Sequence, residues 1–201
     1  MKIYDISQEV LTCVVFGNDP APEAKQLLKI EDGAHCNLTS FSMCSHNGTH
    51  VDAPAHFVRD GKTLGEVDLT QFVGYAYVAE KSGVVTAQDI EGILAQARAA
   101  CPECAKRILI KGKAELSLEA AQVLSREGIL LFGNESQTVG PESAPKAVHL
   151  ELLGNDIVLL EGIRLGAVEQ GVYLLNAAPL NLASLEGAPC RALLLDLEDD
   201  Q

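Results

Sequence analysis

Apolar positions along the chain either alternate with polar ones or recur at helical spacing, and these short runs set the expected elements. Residues 2–7 (KIYDIS) alternate and read as a strand. Residues 16–23 (FGNDPAPE) form a turn-rich loop, and 27–41 are mixed, with strand character over 36–41. Residues 46–57 (HNGTHVDAPAHF) hold Gly48, Val51 and Pro54, which rule out a helix and leave an extended segment running into a loop. Residues 68–74 lead into a strand at 75–80. Thr86 caps a helix, with Asp89 at the third helical position and Ile90, Ile93, Leu94 and Ala97 on one face. A short buried strand follows at 107–112. A helix at 117–127 has Ser117 as its cap, Ala120, Ala121, Val123 and Leu124 inward, and Gly128 as its stop. Strands are expected at 129–133, 156–163, 171–182 and 190–198, with a short helix at 147–153 ending at Gly154. This order, strands first, then alternating strands and helices, then strands, predicts one α/β domain over 1–201 built on a mixed sheet flanked by helices.

Composition narrows the function. A chain of 201 residues fits one domain and can bury a core without disulfide staples. The net charge of −13 and pI near 4.7 leave no basic footprint for nucleic acid. No uncharged apolar run is long enough to span a membrane. Asp5 and Glu9 stand where a signal peptide needs an apolar stretch, so a cytoplasmic chain with six reduced cysteines is expected. Cys101 and Cys104 form a lone CxxC. It lacks the second pair of a zinc knuckle and the preceding strand of a thioredoxin motif.

The chemistry concentrates at one place. Of the five histidines, at 35, 46, 50, 56 and 149, three fall within residues 46–56. His46, His50, Asp52 and His56 share parity, so an extended chain would start all four on one face. Imidazoles with a carboxylate suit Zn²⁺ or Mn²⁺ better than Ca²⁺ or Mg²⁺. A further ligand must come from elsewhere. Glu161 is the only charged residue in IVLLEGI (157–163), and is either bound there or exposed at a strand end. His149, twelve residues earlier, is by itself an ordinary helical histidine.

The segment HNGTHVDAPAHF meets every fixed position of the pattern HxGTHxDxPxHF. It resembles the cyclase-like metal-dependent hydrolase family, which includes bacterial kynurenine formamidases (arylformamidases) and isatin hydrolase. The resemblance continues through LTSFSMCSHNGTH, EVDLTQFVG, SLEAAQVLSREGILLFGNES, VHLELLGNDIVLLEGI and NAAPLNLASLEGAPCRALLL. It implies a swivelling β/β/α fold and one or two Zn²⁺ per chain, with Mn²⁺ as the alternative. His46, His50, Asp52 and Glu161 would hold one ion, and Asp52, His149 and Glu161 a second. His56 would be the proton donor and acceptor. The substrate would be a small molecule carrying an amide, N-formylkynurenine by default or a cyclic amide such as isatin, and the assembly a homodimer or homotetramer. The sequence departs from the family at three places, one of them the segment 112–116, which is shorter than in typical members. Formamidases carry a tryptophan that packs on the substrate about thirty residues before the first motif histidine; this chain has no Trp, and Phe16 stands at that distance from His46. Glu135 stands where an aspartate is usual. Arg59 and Lys62, just past the motif, are expected to be solvated. A non-catalytic metal binder would have no need of His56, and a thiol redox protein would need an activated cysteine at 101 or 104.

Overall fold

The computed structural model describes residues 1–197, so Glu198, the expected end of the last strand, lies outside the described residues. In chain order the elements are β1 (Lys2–Asp5), β2 (Glu23–Leu28), β3 (Leu38–Ser42), β4 (His50–Asp52), β5 (Val73–Glu80), β6 (Gly83–Val85), α1 (Ala87–Ala100), β7 (Arg107–Lys111), β8 (Ala114–Leu116), α2 (Leu118–Arg126), β9 (Leu131–Asn134), α3 (Lys146–Gly154), β10 (Val158–Glu161), β11 (Gly171–Asn176), β12 (Gly187–Pro189) and β13 (Leu193–Asp196).

A nine-stranded mixed sheet runs in the order β1-β13-β11-β5-β7-β9-β10-β4-β12. Its middle, β5-β7-β9-β10, is parallel. The flanks are antiparallel. Parallel strands must be covered on both faces, and their sequences are accordingly continuous apolar runs such as ILI (108–110). The three helices cover one face, burying Ile90, Leu94, Leu124 and Leu152 against Ile108 and Phe132. A second core on the other face joins Val51, Phe72, Leu109, Leu160 and Ile163. The α/β class and mixed sheet expected from the sequence are therefore present. No helix of the described residues is long and apolar enough to cross a membrane.

The differences have local causes. The loop expected before residue 23 is followed by β2, which pairs with β3 as a hairpin outside the main sheet. Every residue of both strands is exposed, so no inward-outward alternation marks them. The run 171–182 ends as a strand at Asn176, and a separate short strand, β12, forms later against β4. The Cys104 thiol is not activated: it is buried, donates to the carbonyls of Ala97 (3.2 Å) and Cys101 (2.8 Å), and burial pushes it up to about 12.

The Thr86 cap is a reciprocal pair. Asp89 N–H donates to the Thr86 hydroxyl, while the Asp89 carboxylate accepts the Thr86 N–H at 2.9 Å and the Lys81 ammonium at 2.8 Å. Lys81 and that N–H hold the Asp89 carboxyl down to about 2. Thr86→Ala should cost about 1 kcal/mol of stability in urea unfolding. Because the folded value lies below the ~3.9 of an unfolded aspartate, the Asp89 contribution is complete above about pH 5 and fades as pH falls towards 2. The stability gap between the parent and Asp89→Asn should close over that interval.

Candidate metal centre

Glu161 ends β10, at the carboxyl edge of the parallel strands where α/β sheets bind ligands. β4 lies between β10 and β12, and the register sets His50 opposite both Glu161 and Pro189, and Asp52 opposite Leu159 and Gly187. His50 and Asp52 are two residues apart on this strand, so both side chains leave one face. His46 and His56 arrive by other means than the alternation expected from their parity. His46 stands in a turn before β4, where Gly48 takes a φ of +65° and a side chain would strike Cys13. His56 ends a single helical turn, Pro54–His56. α3 supplies His149 from its buried face.

Five of these six groups meet through their polar atoms. His46 Nδ1 lies 2.8 Å from Asp52 Oδ1. His50 Nε2 lies 3.4 Å from both Asp52 Oδ1 and Glu161 Oε2. His149 Nε2 is 3.2 Å from Glu161 Oε1 and 3.8 Å from Asp52 Oδ2. The outer nitrogens are fixed by backbone carbonyls: His50 Nδ1 donates to Gly48 O at 3.0 Å and His149 Nδ1 to Pro145 O at 2.9 Å. That selects the tautomer with Nε2 free to ligate, since metal-binding histidines are commonly oriented by a carbonyl on the outer nitrogen. Two donor triads result, His46-His50-Asp52 and Asp52-His149-Glu161, with the ligand atoms of each within 4.8 Å of one another. Asp52 belongs to both. It is fully buried, and its Oδ2 has no hydrogen-bond partner among the described residues. A buried carboxylate oxygen without a donor is costly, and a cation at that point removes the cost. The donor set therefore fits a divalent metal.

The electrostatics separate His56 from the others. Burial works against the charged form of His46, but Asp52 and then Glu186 outweigh it and raise the ring to about 9. Burial likewise opposes protonation of His50 and His149, and Glu161 and Asp52 overcome it in both. The Asp52 carboxyl is held far below its ordinary range: burial opposes this, and His46 and His50 prevail. His56 goes the other way. Burial lowers it, Asp52 pulls it up, and the neighbouring His46 and His149 help keep it below its ordinary value. Its ring stacks on His46 at 4.0 Å and hydrogen-bonds none of the described residues. His56 is thus a neutral ring at the rim of the cluster.

A cavity of about 230 Å³ opens above the cluster, lined by His46, His50, His56, His149 and Glu161. Phe16, the residue at the family's aromatic position, lines the same cavity, as do Phe57 and Asp19. Phe57 stacks on His149 at 4.4 Å. Glu135 faces away from this chemistry: its two oxygens accept the N–H groups of Gly112 (2.6 Å) and Leu165 (2.8 Å), a clamp between two loops. Lys62 pairs with Asp156 at the surface, and neither Lys62 nor Arg59 lines the cavity. Sequence reasoning missed Glu186, which reaches His46 from the coil before β12, and Asp19. Neither lies in a patterned segment.

Comparison with known proteins agrees with this geometry. Residues 4–141 match the Cyclase family, described as putative cyclase. The chain belongs to this family. It is 32% identical to the kynurenine formamidase of Bacillus cereus over 82% of each chain. It is 28% identical to that of Erythrobacter litoralis over 98% of this chain and 95% of the relative. A solved structure of a potential metal-dependent hydrolase with cyclase activity superposes with a TM-score of 0.78 at 27% identity, covering 98% of this chain and 99% of the other. With these relatives the chain is an enzyme of the metal-dependent hydrolase class.

Zn²⁺ at about 100 times its Kd should raise unfolding stability by roughly 2.7 kcal/mol, since an ion that binds only the folded state stabilises it by mass action. Asp52→Ala, which removes a donor from both triads, should abolish that gain in thermal unfolding and leave no retained metal after gel filtration.

Proposed function

We propose that this enzyme hydrolyses an aryl formamide, with N-formylkynurenine as substrate and kynurenine and formate as products. The observation that carries the reading is the convergence of two buried carboxylates and three imidazoles beneath one neutral histidine, in a cavity with an aromatic side chain on its wall. The kynurenine formamidase relatives support the choice of substrate.

In this reading His46, His50, Asp52 and Glu161 would hold one ion, and Asp52, His149 and Glu161 a second, Zn²⁺ or Mn²⁺. Bound there, such ions make hydroxide available near pH ~7 and polarise the scissile carbonyl. His56 takes the proton released from water as its oxygen bonds to the formyl carbon, and delivers it to the aniline nitrogen as the C–N bond breaks. Burial and then the neighbouring imidazoles weaken its hold on a proton, and a ring already protonated could accept nothing. Phe16 stacks on the aromatic ring of the substrate, with less area than a tryptophan and no indole donor. Phe57 packs against His149 and keeps that ring from rotating away from Glu161.

Chelator-stripped protein reloaded separately with Zn²⁺ and Mn²⁺ should release formate from N-formylkynurenine. His56→Ala should keep its metal content and lose about 10²–10⁴-fold in kcat, the usual worth of a general acid-base. Wild-type turnover in that variant would remove His56 from the mechanism. A metal-loaded parent that ignores N-formylkynurenine but opens isatin would move the substrate to cyclic amides.

The hairpin supports a homodimer as the assembly, with a homotetramer as the larger possibility. A free two-stranded hairpin is marginally stable, yet Leu27, Ile30, Leu38 and Phe41 are about half exposed or more on β2, β3 and their connection, as is Leu180 nearby. Phe41 and Leu180 line the same groove, and exposed apolar surface of this kind is what an interface covers. Phe41→Lys combined with Leu180→Lys should lower the mass seen by sedimentation equilibrium to that of one chain.

A further inference from the structure

His46 is held differently from the other two histidines of the cluster. His50 and His149 turn Nε2 inward and anchor Nδ1 on backbone carbonyls. His46 is reversed: Nδ1 points at Asp52, and Nε2 lies 3.1 Å from Glu186 Oε1. The outward nitrogen therefore meets a carboxylate instead of a carbonyl. Glu186 is itself fixed. Ser45, next to His46 in the chain, donates its hydroxyl to the same Oε1 at 2.7 Å. The backbone carbonyl of Glu186 accepts the Ala53 N–H at 2.8 Å, one residue past Asp52. The next residue, Gly187, lies against the His46 ring so closely that a Cβ there would come within 2.6 Å of Cε1. Backbone, hydroxyl and glycine together hold a glutamate at the one His46 nitrogen that faces away from Asp52.

We propose that Glu186 is a positioning residue for the metal centre. It accepts the His46 Nε2–H, thereby fixes the ring tautomer with Nδ1 unprotonated for the ion shared with His50 and Asp52, and raises the basicity of that nitrogen. Carboxylate-histidine-metal relays act in this way, and losing the outer partner typically costs 10–100-fold in metal affinity. The proposal rests on the metal-site reading above and adds a sixth residue to it. Because His56 stacks on His46, the same contact holds the surface on which the acid-base ring rests.

The test is Zn²⁺ affinity of the full chain, measured against a chromophoric chelator without substrate, for the parent, Glu186→Ala, Glu186→Gln and His50→Ala. Urea unfolding of the metal-free forms accompanies it. Glu186→Ala should weaken Zn²⁺ binding by roughly 10–100-fold. Its metal-free stability should stay close to the parent's, because the side chain is partly exposed. Glu186→Gln keeps an acceptor oxygen without the charge and should fall between the two. An affinity within twofold of the parent in both Glu186 variants, with His50→Ala strongly weakened, overturns the role of Glu186 and leaves the metal site standing. A parent chain that holds no Zn²⁺ overturns the site reading and this inference together. If Glu186→Ala fails to fold, Glu186→Gln decides alone: weakening of several-fold supports the role, and parent-like binding ends it.

Discussion

Two carboxylates buried at the end of an apolar sheet are the constraint on which the rest of this structure depends. Asp52 has no exposure and Glu161 only 3%. An isolated charge in such a place is unfavourable by several kcal/mol and must be paired. The strands around it answer that demand. β4 enters the sheet at β10 so that His50 faces Glu161 across the ladder. α3 lays His149 over the same carboxylate, and the Val139 N–H donates to it at 2.8 Å. Gly48 and Gly187 let the backbone and the His46 ring approach where no side chain could fit. Even so, Asp52 Oδ2 remains without a donor. The protein framework leaves negative charge in excess of what its hydrogen bonds satisfy, and a divalent cation is the partner that closes the account.

The same excess divides the histidines by role. Those in contact with Asp52 or Glu161 are driven towards the charged form, which means that their nitrogens occupy positions of strongly negative potential. A cation favours those positions whether it is a proton or a metal ion. His56 lies one ring further out, stacked on His46 with no carboxylate on its nitrogens. Burial and neighbouring imidazoles prevail there, and it stays neutral. The two environments thus differ by a single ring's thickness within one local segment, because the turn that starts at Pro54 brings the chain back over His46 and His50.

How far the sequence revealed this depends on how local each feature is. The motif at 46–57 was legible because its six fixed polar and glycine positions are packed into one segment. Its parity argument succeeded for His50 and Asp52, which share a strand face. For His46 and His56 it failed as a route, since turns and not strand alternation bring both to the cluster. The helix caps at Thr86 and Ser117 were legible for the same reason of locality. Glu161 was marked as a candidate by its isolation in an apolar run, whereas His149 was joined to the motif only by resemblance. Glu186 was invisible: its partner His46 is 140 positions away, and it sits in coil where no periodicity operates. The hairpin was half missed because strands exposed on both faces lack the alternation that reveals a strand.

Substrate choice and metal binding are separable in this fold, yet they share one backbone hinge. The loop bearing Phe16 hangs from the ligand turn: the Gly48 N–H donates to Val14 O, and the Val14 N–H donates to the Gln8 side chain. Gln8 in turn donates to Gln137 and to the carbonyl of Gly162, the residue after Glu161. Gln137 returns a hydrogen bond to Gly48 O, the carbonyl that orients His50. The aromatic wall is thus referenced to the ligands through a few hydrogen bonds, with no side-chain contact required between Phe16 and the cluster. Exchange of a tryptophan for phenylalanine on that loop changes the surface offered to a substrate ring and leaves the ligand geometry untouched. Changes at Gln8 or Gln137 would move both together, because the polar belt, and not the aromatic residue, sets the distance between the Phe16 loop and the His50 turn.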